Sequence, residues 1–505
     1  MRKTFVLMVA FMMLIGCGAA LAEAPGYLSD FSGGTDGWYA RSTGGAALTV
    51  TQEGALKIDG RSDNWHSPGR DFELESGASY ELSVEVRQQD VEEAQFIISV
   101  AHSLDGLESY ENLGFGKARK GEWTTVKGTY TAGTFDRFVL YVETANAKEL
   151  SYEMRNFKLE GKLVEFGAEK DLPALKDVYA DRFDFGTAVT FPEASNRKRM
   201  DFYASQFNIM TPGNELKPDS VLDVWTSAMK SLQDDTAVAV KFNSVMPLLE
   251  YAKNNGIKVH GHVLVWHQQT PEAFFHEHYN VKLPLVSREV MLKRLDNYVR
   301  EIMTWLEEHY PGVVVSWDVV NEAIDDGSGK LRDSMWMKVV GEDYVARAFE
   351  IARRHAPKDV LLFYNDYNTA ILVKQMGILT LLKDLMAEGN IDGYGFQMHH
   401  DVNFPSVMQI ATSLQRIADT GLKLRVSELD ITIPDQSEAS YQKQAKMYAD
   451  IMKLLMLYPD QMLAVQVWGV SDDLSWRASQ YPLLFDGNAQ PKPAFWAVAD
   501  PASFK

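Results

Sequence analysis

The larger, carboxyl-terminal part of this chain repeats one pattern, an apolar strand followed by an amphipathic helix. Near-continuous apolar runs indicate parallel strands covered on both faces. Eight such strands are predicted, at residues 183–189, 207–211, 259–266, 313–322, 360–367, 393–398, 424–431 and 463–470. The clearest helix has apolar residues at steps of three and four, Leu292, Leu295, Val299, Ile302 and Leu306. Eight alternating units over about 335 residues predict a (β/α)8 TIM barrel at residues 172–500 with long βα loops.

The amino-terminal part has a different pattern, short strand-like runs separated by Gly-rich turns and no helical stretch between them. The runs are residues 47–51, 80–86, 96–101, 123–131 and 137–143. This spacing is typical of an antiparallel β-sandwich, which we predict for residues 27–161. In the run at 80–86, apolar and polar residues alternate, so one face is buried and the other is free to bind. A chain of 505 residues is expected to form two domains.

Residues 1–22 have the three parts of a secretory signal peptide: Arg2 and Lys3, an apolar run at 5–15, and a small-residue end at Ala22. The apolar run is too short to span a bilayer, so no transmembrane segment is expected. We predict a secreted, extracellular protein. The alternative is a lipid anchor at the cell surface through Cys17, which stands in a lipoprotein-like Leu-Ile-Gly-Cys stretch. Cys17 is the single cysteine, so the mature chain has no disulfide.

The net charge of the chain limits the classes of molecule that it is expected to bind. A formal net charge of -19 argues against nucleic acid, because a phosphate backbone requires clusters of Lys and Arg. A hydrophobic content of 46% with 24% charged residues is typical of a soluble globular protein. We expect a monomer that acts on a neutral or basic substrate.

Two carboxylates follow strands on nearly opposite sides of the predicted barrel. The strand at 313–322 ends in Asn321 and Glu322, and the seventh strand carries Glu428. The carboxyl ends of barrel strands form the active-site mouth. A carboxyl pair across a scissile bond is what glycoside hydrolysis requires. Alternation places Asp430 on the face of Glu428, and His399 from the sixth strand is predicted to bridge the two and keep Glu428 ionised.

The residues around this pair resemble glycoside hydrolase family 10, the endo-β-1,4-xylanases, from about residue 172 to residue 500. The two carboxylate signatures are Trp317-Asp318-Val319-Val320-Asn321-Glu322 and Ser427-Glu428-Leu429-Asp430-Ile431. Further matches are Asn214-Glu215-Leu216-Lys217, Gly261-His262-Val263-Leu264-Val265-Trp266-His267, Asn365-Asp366-Tyr367-Asn368, Gln397-Met398-His399 and Trp468-Gly469-Val470-Ser471-Asp472. Agreement in order at seven of the eight strand ends makes this resemblance specific.

The resemblance implies a role for each matched residue. Glu322 is the acid/base and Glu428 the nucleophile of a retaining double displacement, with carboxyl groups about 5–5.5 Å apart. Asn321 and Gln397 contact the reacting sugar or orient the carboxylates, supported by His399 and Asp430. The remaining implied substrate contacts are Asn214, Lys217, His262, Trp266 and Gln269 on the non-reducing side, Trp468 and Trp476 over the sugar face, and Tyr367 near the aglycone. Gly213 is a departure, because the family often has Glu there, and one distal hydrogen bond to a sugar would be missing.

The amino-terminal domain resembles carbohydrate-binding module family 22. The resemblance is carried by Trp38-Tyr39-Ala40-Arg41, Gly60-Arg61-Ser62-Asp63-Asn64-Trp65, Tyr110 and Leu140-Tyr141-Val142-Glu143. It implies a xylan-binding groove formed by Arg41, Trp65, Tyr110, Tyr141 and Glu143, with Trp38 in the core. The closing segment 152–157 lacks the acidic pair that the resemblance leads us to expect.

Three other interpretations stay open from the sequence. The first is a non-catalytic polysaccharide-binding protein. The second is a metal-dependent hydrolase, because His260 and His262 form a His-x-His pair and Asp401 follows His399 and His400. We interpret His260 as a core residue and His262 as a sugar contact. The third concerns the substrate, because the sequence leaves cellulose and mixed-linkage glucan as alternatives to xylan. No cofactor and no catalytic metal are expected; family likeness leaves a structural calcium ion open, although no convincing ligand cluster is present.

Overall fold

A computed structural model describes residues 26–504 apart from 42–45, 73, 75–76, 105–106, 134, 136, 163–170, 195–196 and 488. The predicted signal peptide and Cys17 therefore lie outside the described residues. The chain divides into two compact units, Met1–Val164 and Glu165–Lys505. Within the described part of the chain, no helix is both long and apolar enough to cross a membrane.

The first unit is an antiparallel β-sandwich, as predicted. Its strands are β1 (Gly26–Ser29), β2 (Tyr39–Ala40), β3 (Ala47–Val50), β4 (Leu56–Asp59), β5 (Pro68–Phe72), β6 (Ser79–Gln88), β7 (Glu93–Leu104), β8 (Leu107–Arg119), β9 (Thr124–Thr131), β10 (Arg137–Thr144) and β11 (Tyr152–Lys162). One sheet has the order β3-β4-β11-β6-β9, with β1 paired to β11, and the other has the order β2-β5-β10-β7-β8.

Alternating side chains build the core between these sheets. In β6, Leu82, Val84 and Val86 are buried and join one cluster with Phe96 of β7. Trp38 belongs to this core too, as predicted, and its ring lies edge-on to Phe157 with 4.8 Å between centroids. The intervening residues Val139 and Tyr141 of β10 are not in this core and form a separate buried cluster with Ala101 of β7.

The second unit is the predicted parallel barrel. Its strands are β12 (Asp184–Val189), β13 (Ile209–Pro212), β14 (Lys258–Trp266), β15 (Val314–Asn321), β16 (Leu361–Asp366), β17 (Gly393–Phe396), β18 (His399–Asp401), β19 (Lys423–Thr432) and β20 (Met462–Val467). Each strand pairs in parallel with its neighbour, and pairing of β12 with β20 closes the ring. The barrel fold places the carboxyl ends of these strands at one mouth.

The sixth predicted strand, 393–398, differs in the structure because it ends early and resumes. β17 stops at Phe396, and β18 starts at His399 and pairs with β19. Met398 lies between them with φ of 58°, a left-handed conformation that interrupts an extended strand. The interruption leaves Gln397 between the two strands at the barrel mouth, while His399 pairs with Asp430 of β19.

Helices surround the strands. They are α1 (Leu175–Val178), α2 (Phe191–Ala194), α3 (Arg197–Gln206), α4 (Pro218–Val221), α5 (Val224–Ser231), α6 (Met246–Asn255), α7 (Arg288–His309), α8 (Met335–Val339), α9 (Tyr344–His355), α10 (Leu372–Glu388), α11 (Val407–Ala418), α12 (Glu438–Leu455) and α13 (Pro493–Ala499). The predicted stripe lies on α7, where Leu295, Val299, Ile302 and Leu306 are buried. The Ser287 side chain caps this helix by accepting a hydrogen bond from the Val290 amide at 3.3 Å.

Inside the barrel, one glycine is required by a close approach. A Cβ atom on Gly261 of β14 would lie 2.2 Å from the ring of Trp317 on the neighbouring strand β15. Trp317 is itself almost fully buried. The glycine therefore lets the largest core side chain lie flat between two strands that both lead to the barrel mouth.

Candidate active site

A cavity of about 740 Å³ lies at the carboxyl ends of the barrel strands. The predicted residues that line it are Asn214, Lys217, His262, Trp266, Gln269, Asn321, Glu322, Tyr367, Gln397, His399, Glu428, Trp468 and Trp476. Asp430 is fully buried and contacts the lining residues His399 and Trp476 by hydrogen bonds. Thr190, Glu193, Gly213, Gln268, Asn368 and Arg477 also line the cavity. The barrel thus brings together side chains that are far apart in the sequence.

Glu322 lies one residue beyond β15, and three N–H donors hold its carboxylate. Trp266 Nε1 donates to Oε2 at 3.0 Å, Gln397 Nε2 donates to Oε1 at 2.9 Å, and Asn321 Nδ2 donates to Oε1 at 3.3 Å. The backbone of Glu322 is left-handed, with φ of 56°. This conformation costs a non-glycine residue about 1–3 kcal/mol, so the surrounding structure must hold it.

Glu428 lies on β19, deeper in the cavity, and only 5% of it is exposed. Asn365 Nδ2 donates to Oε1 at 2.7 Å, and His399 Nε2 lies 3.1 Å from Oε2. Burial alone would raise the pKa of Glu428, but the hydrogen bond from His399 and the electrostatic effect of the nearby His262 outweigh it and lower that pKa. Glu428 is therefore held as a carboxylate, the form in which it can attack a carbon atom.

His399 forms the predicted bridge between Glu428 and Asp430. Its Nδ1 lies 2.8 Å from Asp430 Oδ2, and Asp430 also accepts hydrogen bonds from Trp476 Nε1 at 2.9 Å and Arg477 Nη1 at 3.1 Å. Burial disfavours the imidazolium, but the two carboxylates prevail and raise the pKa of His399 to about 9. Protonated His399 can donate to both carboxylates at once.

Asn365, at the end of β16, links the two glutamates and was not among the predicted site residues. Its Nδ2 donates to Asn321 Oδ1 at 3.1 Å as well as to Glu428, while its Oδ1 accepts from Ser427 Oγ at 2.7 Å. Asn321 in turn donates to Glu322 and accepts from Gln397 at 3.0 Å. Asn365 stands in a quoted motif and ends a strand, as Asn321 does, so the sequence contained the signal.

A second cluster lies on the predicted non-reducing side. Lys217 Nζ donates to Asn214 Oδ1 and to Gln269 Oε1, both at 2.9 Å. Burial lowers the pKa of Lys217, although nearby carboxylates partly offset it. Trp476 is 62% exposed and presents a ring to the cavity. Amide, ammonium and indole groups of this kind suit a sugar, whose ring face is apolar and whose edge carries hydroxyl groups.

The two histidines of β14, His260 and His262, each have a side-chain hydrogen-bond partner. His262 Nδ1 lies 2.9 Å from Asp318 Oδ2, and His262 lines the cavity. His260 is fully buried beside Ser316 Oγ at 2.7 Å, and burial lowers its pKa to about 4. Among the described residues, no group of three or more His, Cys, Asp or Glu side chains could hold a metal ion.

The sandwich carries a separate groove of about 490 Å³ on the outer face of its second sheet. Four of the predicted residues line it, namely Arg41, Trp65, Tyr110 and Tyr141. The guanidinium of Arg41 lies 3.6 Å from the centroid of the Tyr141 ring. The fifth, Glu143, accepts a hydrogen bond from Ser99 Oγ at 2.7 Å but is not among the residues that line the groove.

The groove also contains residues that the sequence had not indicated, Tyr39, Glu108, Arg137 and Val139. Asp71 joins two of them, because it accepts from Tyr39 OH at 2.8 Å and from Arg137 Nε at 2.5 Å. Arg137 and Val139 precede Tyr141 at steps of two on β10, so strand periodicity was the available signal.

A parallel barrel with two carboxylates at the ends of its fourth and seventh strands belongs to the class of barrel glycoside hydrolases. The model of Glycosyl hydrolase family 10 matches residues 174–501, and the chain belongs to this family. A model described as a carbohydrate binding domain matches residues 27–149. The resemblances stated from the sequence are confirmed.

Relatives and solved structures agree with this assignment. Endo-1,4-beta-xylanase A of Thermoanaerobacterium saccharolyticum is 31% identical over 489 residues, 93% of this chain and 41% of the relative. Endo-1,4-beta-xylanase A of Thermotoga neapolitana is 33% identical over 473 residues, 88% of this chain and 43% of the relative. The structure of the CBM22-1-GH10 modules of Clostridium thermocellum xylanase 10B, complexed with xylohexaose, matches 95% of this chain and 98% of that chain, with 27% identity and a TM-score of 0.63. The chain thus spans less than half the length of these two curated relatives.

Proposed function

We propose that this protein is an endo-1,4-β-xylanase that hydrolyses internal β-1,4-xylosidic bonds by a retaining double displacement. One observation carries the proposal: two glutamates face one cavity, and Glu428 is held as a carboxylate by His399 and Asn365 while Glu322 lies nearer solvent. The names of the relatives support xylan as the substrate.

In the first step, the Glu428 carboxylate attacks the anomeric carbon while Glu322 gives its proton to the departing oxygen. The bond from the anomeric carbon to the leaving oxygen breaks, and a glycosyl-Glu428 ester forms. In the second step, Glu322 takes a proton from water, the water oxygen attacks the same carbon, and Glu428 leaves as a carboxylate. The two steps require Glu322 to give up a proton and then to recover one, and ester formation removes the negative charge of Glu428 between them.

The other cavity residues position the sugar chain in this proposal. Asn214, Lys217 and Gln269, which bond to one another, offer hydrogen bonds to sugars on the non-reducing side. Trp468 and Trp476 cover a sugar face, His262 and Trp266 also line the non-reducing side, and Tyr367 lies toward the aglycone. Hydrolysis by two glutamates needs no metal as a reactant, so we expect a chelator to leave the rate unchanged; a metal-dependent hydrolase would lose activity.

For the sandwich, we propose xylan binding in the groove lined by Arg41, Trp65, Tyr110 and Tyr141, with Glu143 at its side. Retardation of the 27–161 domain by xylan in affinity electrophoresis tests this. We further propose that residues 1–22 direct secretion, or that Cys17 is lipidated, and that the protein acts as a monomer. Mass determination of the mature amino terminus and sedimentation analysis decide these points.

Product analysis tests the enzymatic proposal most directly. Linear xylan, arabinoxylan and carboxymethyl-cellulose are digested in parallel, and NMR identifies the anomer that is released first. We expect xylo-oligosaccharides with the β configuration. Faster release of sugars from carboxymethyl-cellulose than from xylan would contradict xylan as the substrate. An α product would contradict the retaining mechanism. No product from any of the polysaccharides would favour a protein that binds polysaccharide without hydrolysing it.

A further inference from the structure

Lys374 of α10 is a buried ammonium that the hydrolytic scheme does not use. Its side chain has no exposed surface, and Nζ lies 2.8 Å from Asp366 Oδ1 and 2.5 Å from Asp326 Oδ1. The same atom lies 3.7 Å from the centroid of the Tyr367 ring, which faces the cavity. A buried cation has a large desolvation cost, so two carboxylates and an aromatic face are the partners that it requires.

A continuous chain of hydrogen bonds leads from Lys374 to the backbone next to Glu322. Asp366 accepts from Lys374 with Oδ1 and from the Tyr364 hydroxyl with Oδ2 at 2.5 Å. The Tyr364 hydroxyl also accepts a hydrogen bond from the Ala323 amide at 3.0 Å. Asp366 and Tyr364 are both fully buried, so solvent does not compete for these bonds.

The backbone at the end of this chain needs support because Glu322 is left-handed. The Glu322 amide donates to the Asn365 carbonyl at 2.9 Å, and Arg332 Nε donates to the Glu322 carbonyl at 3.2 Å. Tyr364 supplies the partner of the next amide, Ala323. Three side-chain donors hold the Glu322 carboxylate itself, and these hydrogen bonds hold the backbone that carries it. Tyr364 contributes a side-chain hydroxyl to the backbone part of this support.

We propose that Lys374 is a positioning residue for proton transfer: through Asp366 and Tyr364 it holds the Ala323 amide, and so keeps the Glu322 carboxyl where the leaving oxygen is protonated. The inference rests on the proposed acid/base role of Glu322. Lys374 touches neither substrate nor reacting atoms; its effect reaches the reaction through the backbone of Glu322 and through the cavity wall at Tyr367.

The test uses Lys374→Met in the full chain, with xylan and a series of aryl β-xylobiosides whose phenol leaving groups differ in acidity. Misplacing a catalytic group by about 1 Å can cost about 100-fold, so we expect kcat on xylan to fall about 10–100-fold with little change in KM. A dinitrophenyl leaving group needs little protonation, and we expect that substrate to lose about twofold or less. Combining Lys374→Met with Glu322→Ala should cause no loss on xylan beyond that of Glu322→Ala alone.

Two further variants separate positioning from general destabilisation. Tyr364→Phe removes only the hydroxyl that links Asp366 to Ala323, and it should show the same leaving-group dependence to a smaller degree, even if Lys374→Met fails to fold. Arg294→Met is the matched control, because Arg294 is also fully buried, pairs with Asp235 at 2.5 Å and lies 4.0 Å from the ring centroid of Tyr279. It should lower the melting temperature without changing leaving-group dependence.

The outcomes distinguish this inference from the proposed function. If the unmodified protein does not hydrolyse xylan, the proposed function fails first. If it does, but Tyr364→Phe lowers turnover of xylan and dinitrophenyl xylobioside equally or leaves both unchanged, the positioning role is wrong. Additive losses in the double variant would likewise show that Lys374 acts apart from Glu322.

Discussion

The barrel cavity and the sandwich groove, the two sugar-binding sites that we propose, differ in how exposed their side chains are and in how their charges are paired. In the cavity, Glu428 is 5% exposed and its charge is already paired with His399. In the groove, Trp65 and Tyr110 are 47% and 60% exposed. Catalysis requires charges that are oriented before the transition state forms, whereas adhesion requires an accessible apolar face with a few polar atoms. The comparison predicts that substitutions in the cavity lower turnover strongly, to a degree that depends on the leaving group. Substitutions in the groove should weaken xylan binding modestly and leave turnover unchanged.

Removing the nucleophile should have the largest effect. For Glu428→Ala we expect turnover of xylan to fall at least about 10⁴-fold, because the variant lacks the carboxylate that forms the ester. With an activated aryl xylobioside, added azide can enter the space left by the side chain and attack the anomeric carbon directly, so the glycosyl azide should have inverted configuration. Substantial residual hydrolysis of xylan would contradict the assignment.

Removing the acid/base should give the next largest effect, and one that depends on the leaving group. For Glu322→Ala we expect a loss of about 10²–10⁴-fold on xylan and a much smaller loss on a dinitrophenyl glycoside. Because Glu428 still forms the ester, azide should now give a product of retained configuration. Equal losses on both substrates, or an inverted azide product, would show that Glu322 is not the acid.

The groove should respond through binding alone. In the Glu428→Ala background, Trp65→Ala or Tyr110→Ala should weaken affinity for soluble xylan about tenfold, since a stacked aromatic ring contributes roughly 1–2 kcal/mol. Affinity electrophoresis provides the measurement. Trp123→Ala is the control, because Trp123 lies against Arg87 and Arg155 and is not among the residues that line the groove. With Glu428 intact, a change in kcat on short xylo-oligosaccharides caused by Trp65→Ala or Tyr110→Ala would break the comparison between the two regions.

The smallest expected effect is a pH dependence of barrel stability. The pKa of His399, about 9 in the folded protein, exceeds the value of about 6.5 expected in the unfolded chain. The imidazolium therefore stabilises the fold fully below about pH 6.5, and that contribution is lost as the pH rises through about 9. Between pH 7 and pH 9.5, calorimetry should show the barrel melting temperature falling a few degrees more than in His399→Gln. Parallel profiles would mean that His399 is neutral.

Much of the fold was predictable because the relevant signals are local. Eight apolar runs and the helical patterns between them were sufficient for the barrel, and the spacing of short strand-like runs between Gly-rich turns was sufficient for the sandwich. The predicted bridge by His399 followed from side-chain alternation on β19 and from the order of strands around a barrel. The division of the sixth strand was not predictable, because the left-handed backbone at Met398 depends on packing at the barrel mouth.

The sequence by itself determined which chemistry this chain can perform. The repeated strand–helix pattern places Glu322 and Glu428 at the same mouth of the barrel. The residues beside them form short motifs that can be recognised in the sequence. Only the tertiary structure decided how those groups are held: Asn365 joins the two glutamates, and Lys374, which belongs to none of the sequence motifs, is completely buried. The physical reason is that burial and pairing of a charge depend on partners brought together by folding, and no local pattern specifies them.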